Sequence, residues 1–227
     1  MTNKLEKKPT QDQMYRKMAD HIGDWADGIS KTSILRTIHK NILGLNKLGH
    51  GRPYEDLGYF LLVARQYNLN PLKKEIYAVY QNTNVNGNWV ETLEPIVGIH
   101  GLRTLARRAK NPAYAYTGKA VFTFKDEQLD SATVEVFGRF GDNANAVKVG
   151  EYTAYWEEFA QKKKSPKAGE SPYRSQWAKM PRVMLAKCAE ANAIRACFDI
   201  GGIYIPEEIG SEDFKTLTDG DDSIEGC

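Results

Sequence analysis

The stretch over residues 176–198 constrains this chain more than any other. At about 100° per residue, Val183, Met184, Leu185, Ala189, Ala191, Ala193, Ile194 and Phe198 fall around nearly the whole circumference of a helix. A long helix with so little polar surface must be enclosed by other elements, so the rest of the chain has to supply layers to bury it. With 227 residues, 41% of them hydrophobic, it has enough material for such a core.

Those layers are legible upstream. Residues 10–26 and 31–45 read as two helices, followed by a glycine-rich break at residues 49–53. Leu57, Phe60, Leu61, Ala64 and Tyr67 recur at helical spacing, and Asn68-Leu69-Asn70-Pro71 stops that third helix. Residues 75–80 and 95–99 are β-rich runs, and the Asn86-Gly87 pair between them signals an antiparallel hairpin. A short helix over 101–109 precedes strands near 119–124, 133–140 and 147–154, and residues 156–175 read as a basic loop. The expected class is α+β: N-terminal helices, an antiparallel β-hairpin and meander, and a long buried helix lining a basic groove. The expected division is an N-terminal helical segment (1–53), a core (54–208) and a flexible acidic tail (209–227).

Charge is distributed unevenly. Residues 207–227 hold eight acids against Lys215 alone, a net of −7, so the total of +2 leaves +9 on residues 1–206. A basic body of this kind suits a polyanionic partner. Nine bases lie between Lys162 and Arg195 against Glu170 and Glu190, and an acid-free stretch carries Arg103, Arg107, Arg108, Lys110, Lys119 and Lys125. Lysine and arginine release counterions from a nucleic-acid backbone and form charge-assisted bonds to phosphate. Tyr152, Tyr155, Trp156, Tyr173 and Trp177 are interleaved among these bases, although core packing accounts for Trp156 better, and Lys162 to Lys164 alone read as a solvated loop. On the long helix, Lys187 and Arg195 stand eight residues apart, roughly 12 Å along the axis, with Ala191 between them. They either grip neighbouring phosphates over the small Ala191, or Lys187 pairs with Glu190 while Arg195 reaches solvent along its stem.

Other chemistries find little support. Cys188 and Cys197 point to opposite sides of one helix and Cys227 is the last residue, which predicts free thiols and no zinc site. The only Gly-Lys pair, Gly118-Lys119, is followed by Ala120, so the phosphate-cradling loop of an ATP-driven recombinase is not found. A metal-dependent nuclease needs clustered carboxylates, and the nearest imitation, Asp213-Phe214-Lys215, falls in the acidic tail. His21, His39, His50 and His100 are scattered without ligand spacing. No catalytic residue, metal or cofactor is expected. No apolar run reaches the length of a membrane span or signal peptide, which predicts a cytoplasmic protein.

Two blocks carry a resemblance. Met180-Pro181-Arg182-Val183-Met184-Leu185-Ala186-Lys187-Cys188-Ala189-Glu190-Ala191 continues through Ile194-Arg195 and Phe198 to Gly202-Ile203-Tyr204 and Glu207-Glu208. Tyr67 to Ala78, with Asn68-Leu69-Asn70-Pro71-Leu72-Lys73-Lys74-Glu75 inside it, is followed by Pro95-Ile96-Val97-Gly98-Ile99-His100-Gly101-Leu102. Together they resemble the RecT/Redβ (Bet) family of phage recombination proteins from about residue 54 to 208. The resemblance implies ATP-independent binding of single-stranded DNA and annealing of complementary strands in a bacterial host cell. It further implies an annealed duplex intermediate and assembly with itself into a ring or helical filament. By position it implies phosphate contacts at Lys74, Arg182, Lys187 and Arg195, with Trp177 in the groove wall or core. Arg103, Arg107 and Lys179 join this DNA-binding set from the basic clusters. Asp199 and Asn192 depart from the family pattern, and only 19 residues follow Glu208, so binding of a phage exonuclease or host single-strand-binding protein is not carried over. The rival within the same class is a non-annealing coat protein, which should melt or block hairpins.

Overall fold

Thr10 opens the first helix, α1 (Gln11–Met18), through a reciprocal cap: its hydroxyl accepts from Gln13 N while the Gln13 side chain accepts from Thr10 N at 2.8 Å. The computed structural model describes residues 10–26, 28–46, 48–85, 87–142, 145–163, 166–201 and 204–207. The chain divides into two units, Met1–Ala78 with Pro95–Leu105, and Val79–Glu94 with Ala106–Cys227.

In the first unit, both expected N-terminal helices form, but each changes its winding. After α1 the chain tightens into a 3-10 segment, Ala19–Ala26, and α2 (Lys31–Thr37) widens into a π-helical segment, Ile38–Leu43, that ends at Gly44 with φ 72°. An apolar spacing of three to four residues does not distinguish these windings. Next comes α3 (Tyr54–Gln66), which buries Leu57, Phe60, Leu61 and Ala64, the stripe read from the sequence. The Tyr15 hydroxyl meets His39 Nδ1 at 3.0 Å, and His39 Nε2 donates to the Arg52 carbonyl at 2.6 Å. His39 is therefore a satisfied core residue, and burial pushes the Tyr15 hydroxyl up to about 12.

A two-stranded hairpin, β1 (Ile76–Val85) and β2 (Asn88–Val97), turns at Gly87 with φ 86°. Both strands run further towards the turn than the apolar stretches alone indicate. α4 (Ile99–Ala106) starts and ends earlier than the expected 101–109.

The second unit is a four-stranded antiparallel sheet covered on one face by helix. β5 (Gln128–Arg139) is its spine: β3 (Ala113–Thr117) and β4 (Val121–Lys125) pair along one side and β6 (Val147–Tyr155) along the other. β4, β5 and β6 are the expected meander, whereas β3 was not anticipated from its short mix of small and aromatic residues. The β4–β5 turn uses Asp126 and Glu127 with φ 49° and 63°, a tight turn made without the usual glycine.

The long helix departs from the expected single span 176–198. It is two helices, α6 (Ser175–Lys179) and α7 (Pro181–Phe198), broken at Met180 with φ −135° and ψ 57°. The proline ring excludes Met180 from helical backbone, while Pro181 itself suits the first helical position. Enclosure of α7 is as expected: Met184, Leu185, Cys188 and Ala189 pack with Trp177 onto Ala132, Val134 and Ala154 of β5 and β6. Close approach is enforced at Gly150, where an added Cβ would sit 2.5 Å from Cys197 Sγ. The region read as one basic loop begins instead with a short helix, α5 (Trp156–Phe159). The expected acidic tail at 209–227 lies outside the described residues. Among those residues no helix is long and apolar enough to cross a membrane.

Candidate nucleic-acid interface

The basic residues of α6 and α7 are held in two different ways. Lys179 and Arg182 are exposed on either side of the Met180–Pro181 break, and no acid occupies the first turn of α7. Arg182 extends over the ring of Phe124 on β4, its guanidinium carbon 5.1 Å from the ring centroid. That ring is 49% exposed, so arginine and aromatic face form one surface feature. Among the described residues no carboxylate pairs with Arg182, which leaves its donors available to an anion.

Lys187 and Arg195 meet partners within the chain. Lys187 Nζ donates to Glu207 Oε1 at 2.8 Å, and Arg195 Nη2 donates to Asn192 Oδ1 at 3.0 Å, with the Arg195 guanidinium carbon 5.8 Å from the centroid of Tyr204. The expected alternative partner of Lys187, Glu190, is 8% exposed and accepts from Thr117 Oγ1 at 3.0 Å instead. Nor is Ala191 an open seat for a DNA backbone, since it is 0% exposed. The two family departures have local roles: Asn192 bridges the Cys188 carbonyl and Arg195, and Asp199 caps α7 at φ 50°, which proline could not adopt.

Trp177 is core. It is 2% exposed and lies edge-on to Trp156 at 5.5 Å, which in turn meets Tyr173 at 5.0 Å and donates its indole N–H to the Tyr173 hydroxyl at 3.1 Å. This aromatic cluster anchors the loop that follows α5. Backbone bonds from Lys163 N to the Pro172 carbonyl (2.8 Å) and from Arg174 N to the Gln161 carbonyl (2.9 Å) close the loop at its base. Lys163 pairs with Glu170 at 3.0 Å, and that contact holds the Glu170 carboxyl below its usual range. Lys164 lies outside the described residues.

Lys74 and Arg103 belong to the first unit. Asn70 caps the 3-10 turn Pro71–Lys73 by accepting from Leu72 N, and Lys74 then takes the left-handed conformation, φ 57°, with its side chain exposed. Glu75 locks this turn: its carboxylate accepts from Asn70 N at 2.7 Å and from Thr104 Oγ1 of α4 at 3.1 Å. Gly101 lets α4 come this close, since a Cβ there would lie 2.1 Å from the Glu75 carbonyl oxygen. Arg103 is half-buried on α4, and Arg107 is exposed just after it, in the second unit.

Three residues of this surface were missed from the sequence. Phe124 carries no motif and emerges only through the β4–β5 register. Tyr204 carries no signal of its own beyond its place in the family block. Glu207 stands in the family block and in the acidic count of residues 207–227, but nothing local shows that residues 204–207 return to α7. Among the described residues no group of three His, Cys, Asp or Glu is placed to hold a metal ion.

The family described as the RecT family matches residues 31–220, most of the chain. No curated protein and no solved structure matches it.

Proposed function

This chain belongs to the RecT family, whose members anneal single-stranded DNA in phage-type recombination; from that premise we propose that α6 and α7 hold the DNA backbone and that annealing proceeds without ATP. The observation that carries the proposal is the pair Lys179 and Arg182, exposed beside the aromatic face of Phe124 at an acid-free helix start. Cations that follow a backbone, set among aromatic faces, are the elements of sequence-tolerant single-strand binding. Lys187 and Arg195 extend the track along α7, which at 18 residues is about 27 Å long. Lys74, Arg103 and Arg107 supply further phosphate contacts, while Trp177 acts from beneath by fixing α6.

In this reading the protein is no enzyme: it neutralises phosphates, keeps bases accessible and lets pairing to the complementary strand supply the driving force. Residues 54–208 form the annealing core, residues 1–53 serve contacts between copies in a ring or helical assembly, and the protein acts in the bacterial cytoplasm. The test is the rate of duplex formation between labelled complementary oligonucleotides in buffer free of nucleotide and Mg²⁺. Acceleration with intact strands is expected. Unchanged pairing, or inhibition at saturating protein, would favour a coat protein, and shortened strands on adding Mg²⁺ would favour a nuclease.

A further inference from the structure

Beyond its end at Asp199, α7 is revisited by the chain itself. Tyr204 lies against Arg195, and three residues later Glu207 reaches Lys187, so the segment runs back along the helix towards its start. Eight residues of helix rise about 12 Å, and the chain from Tyr204 to Glu207, which turns at Pro206 and Glu207, reaches both cations with the help of the long Lys187 and Arg195 side chains. Between the two contacts Ile205 is 0% exposed, like Ala191 midway between Arg195 and Lys187 on α7. Gln161 Nε2 clamps the far end, donating to the Glu207 carbonyl at 2.9 Å and the Pro206 carbonyl at 3.5 Å.

The groups presented to α7 resemble those of a nucleotide. Glu207 offers Lys187 an anionic oxygen, as a phosphate would, and Tyr204 offers Arg195 an aromatic face, as a base would. We propose that residues 204–207 form a strap that occupies the Lys187 and Arg195 positions in the free protein, and that single-stranded DNA takes them by displacing Glu207 and Tyr204. This rests on the reading of α7 as the phosphate-binding helix. The Arg195 contact is the weaker of the two, since Tyr204 is 58% exposed; in the other, the Lys187 side chain is 37% and the Glu207 side chain 10% exposed, so the incoming phosphate has to replace a partly shielded ion pair at Lys187 with one of its own. The seven acids at 208–227, against Lys215, keep further carboxylates tethered to the strap. DNA therefore competes with the chain's own anions, and binding is tuned below what the cations alone would give.

The experiment uses the full chain and a fluorescent oligothymidylate. Glu207→Gln keeps shape and hydrogen bonding but removes the charge, so binding should tighten about three- to ten-fold, and the gain should vanish in Lys187→Ala/Glu207→Gln. Binding unchanged or weakened in a Glu207→Gln protein that melts like wild type would overturn the strap. If Lys187→Ala alone weakens binding while Glu207→Gln does not tighten it, only the strap fails. If Lys187→Ala binds like wild type in both backgrounds, the phosphate role of Lys187 falls with it. Hydrogen exchange on wild type gives a reading independent of any variant: the amides of Ile205 and Glu207 should exchange faster when oligothymidylate is bound. Slower or unchanged exchange there would overturn displacement.

Discussion

Arg182→Ala removes one proposed phosphate contact with little structural disturbance, because Arg182 is exposed and lies against the half-exposed face of Phe124. Loss of an exposed cation–π contact costs about 0.5–1 kcal/mol of stability, a fall in melting temperature of roughly 1–4 °C at this chain length. A charge-assisted bond to phosphate is worth about 1.5 kcal/mol or more, so affinity for single-stranded DNA should drop roughly ten-fold at low salt. Each phosphate neutralised contributes about 0.7 to the log–log salt slope. The variant should therefore lose less affinity than wild type between about 50 and 200 mM salt, by a factor of about 2.6. Fluorescence anisotropy with an oligothymidylate across that salt range, beside thermal melts, measures every term. A slope equal to that of wild type, with the fold intact, would show that Arg182 touches no phosphate, whatever happens to affinity.

Lys74→Gly should relieve the left-handed backbone at φ 57° and leave stability equal or up to about 1 kcal/mol higher by thermal melting, yet weaken DNA binding; binding at wild-type strength would remove Lys74 from the interface. Gly101→Ala should destabilise by about 1–3 kcal/mol in denaturant titration, because the new methyl would lie 2.1 Å from the Glu75 carbonyl oxygen and force α4 off the turn that carries Lys74. In a Cys227→Ser background, Cys188 should alkylate only on unfolding, since it is fully buried. Burial pushes the Cys197 thiol up, so its labelling should stay slow at neutral pH and rise as pH passes above the usual thiol range.

What the sequence reveals follows from the range of the interactions. The apolar stripe of α3, the hairpin around Gly87 and the burial of α7 are periodic or local signals, and each appears where the pattern places it. The break at Pro181 was also legible, since a proline five residues into a proposed helix excludes the preceding residue from helical backbone. β3 and the exposed Phe124 depend on pairing with β5, a partner distant enough in sequence that no window contains both. The candidate site divides the same way. Cation-bearing segments are visible as composition, but whether Lys187 faces Glu190 or Glu207 is decided by a chain reversal after Asp199 that the local sequence does not encode. Trp177 shows the converse case: a large aromatic beside lysines reads equally as platform or core, and its packing against Trp156 decides for the core.

The account turns on α6 and α7 carrying the DNA during annealing. The most direct measurement is the nucleotide-free annealing rate of complementary oligonucleotides by wild type and by Lys179→Ala/Arg182→Ala, at protein concentrations that saturate neither. The account predicts marked acceleration by wild type and a rate reduced at least ten-fold in the double variant, with circular dichroism and melting close to wild type. Equal rates from two equally folded proteins would place the DNA elsewhere on the molecule and contradict it.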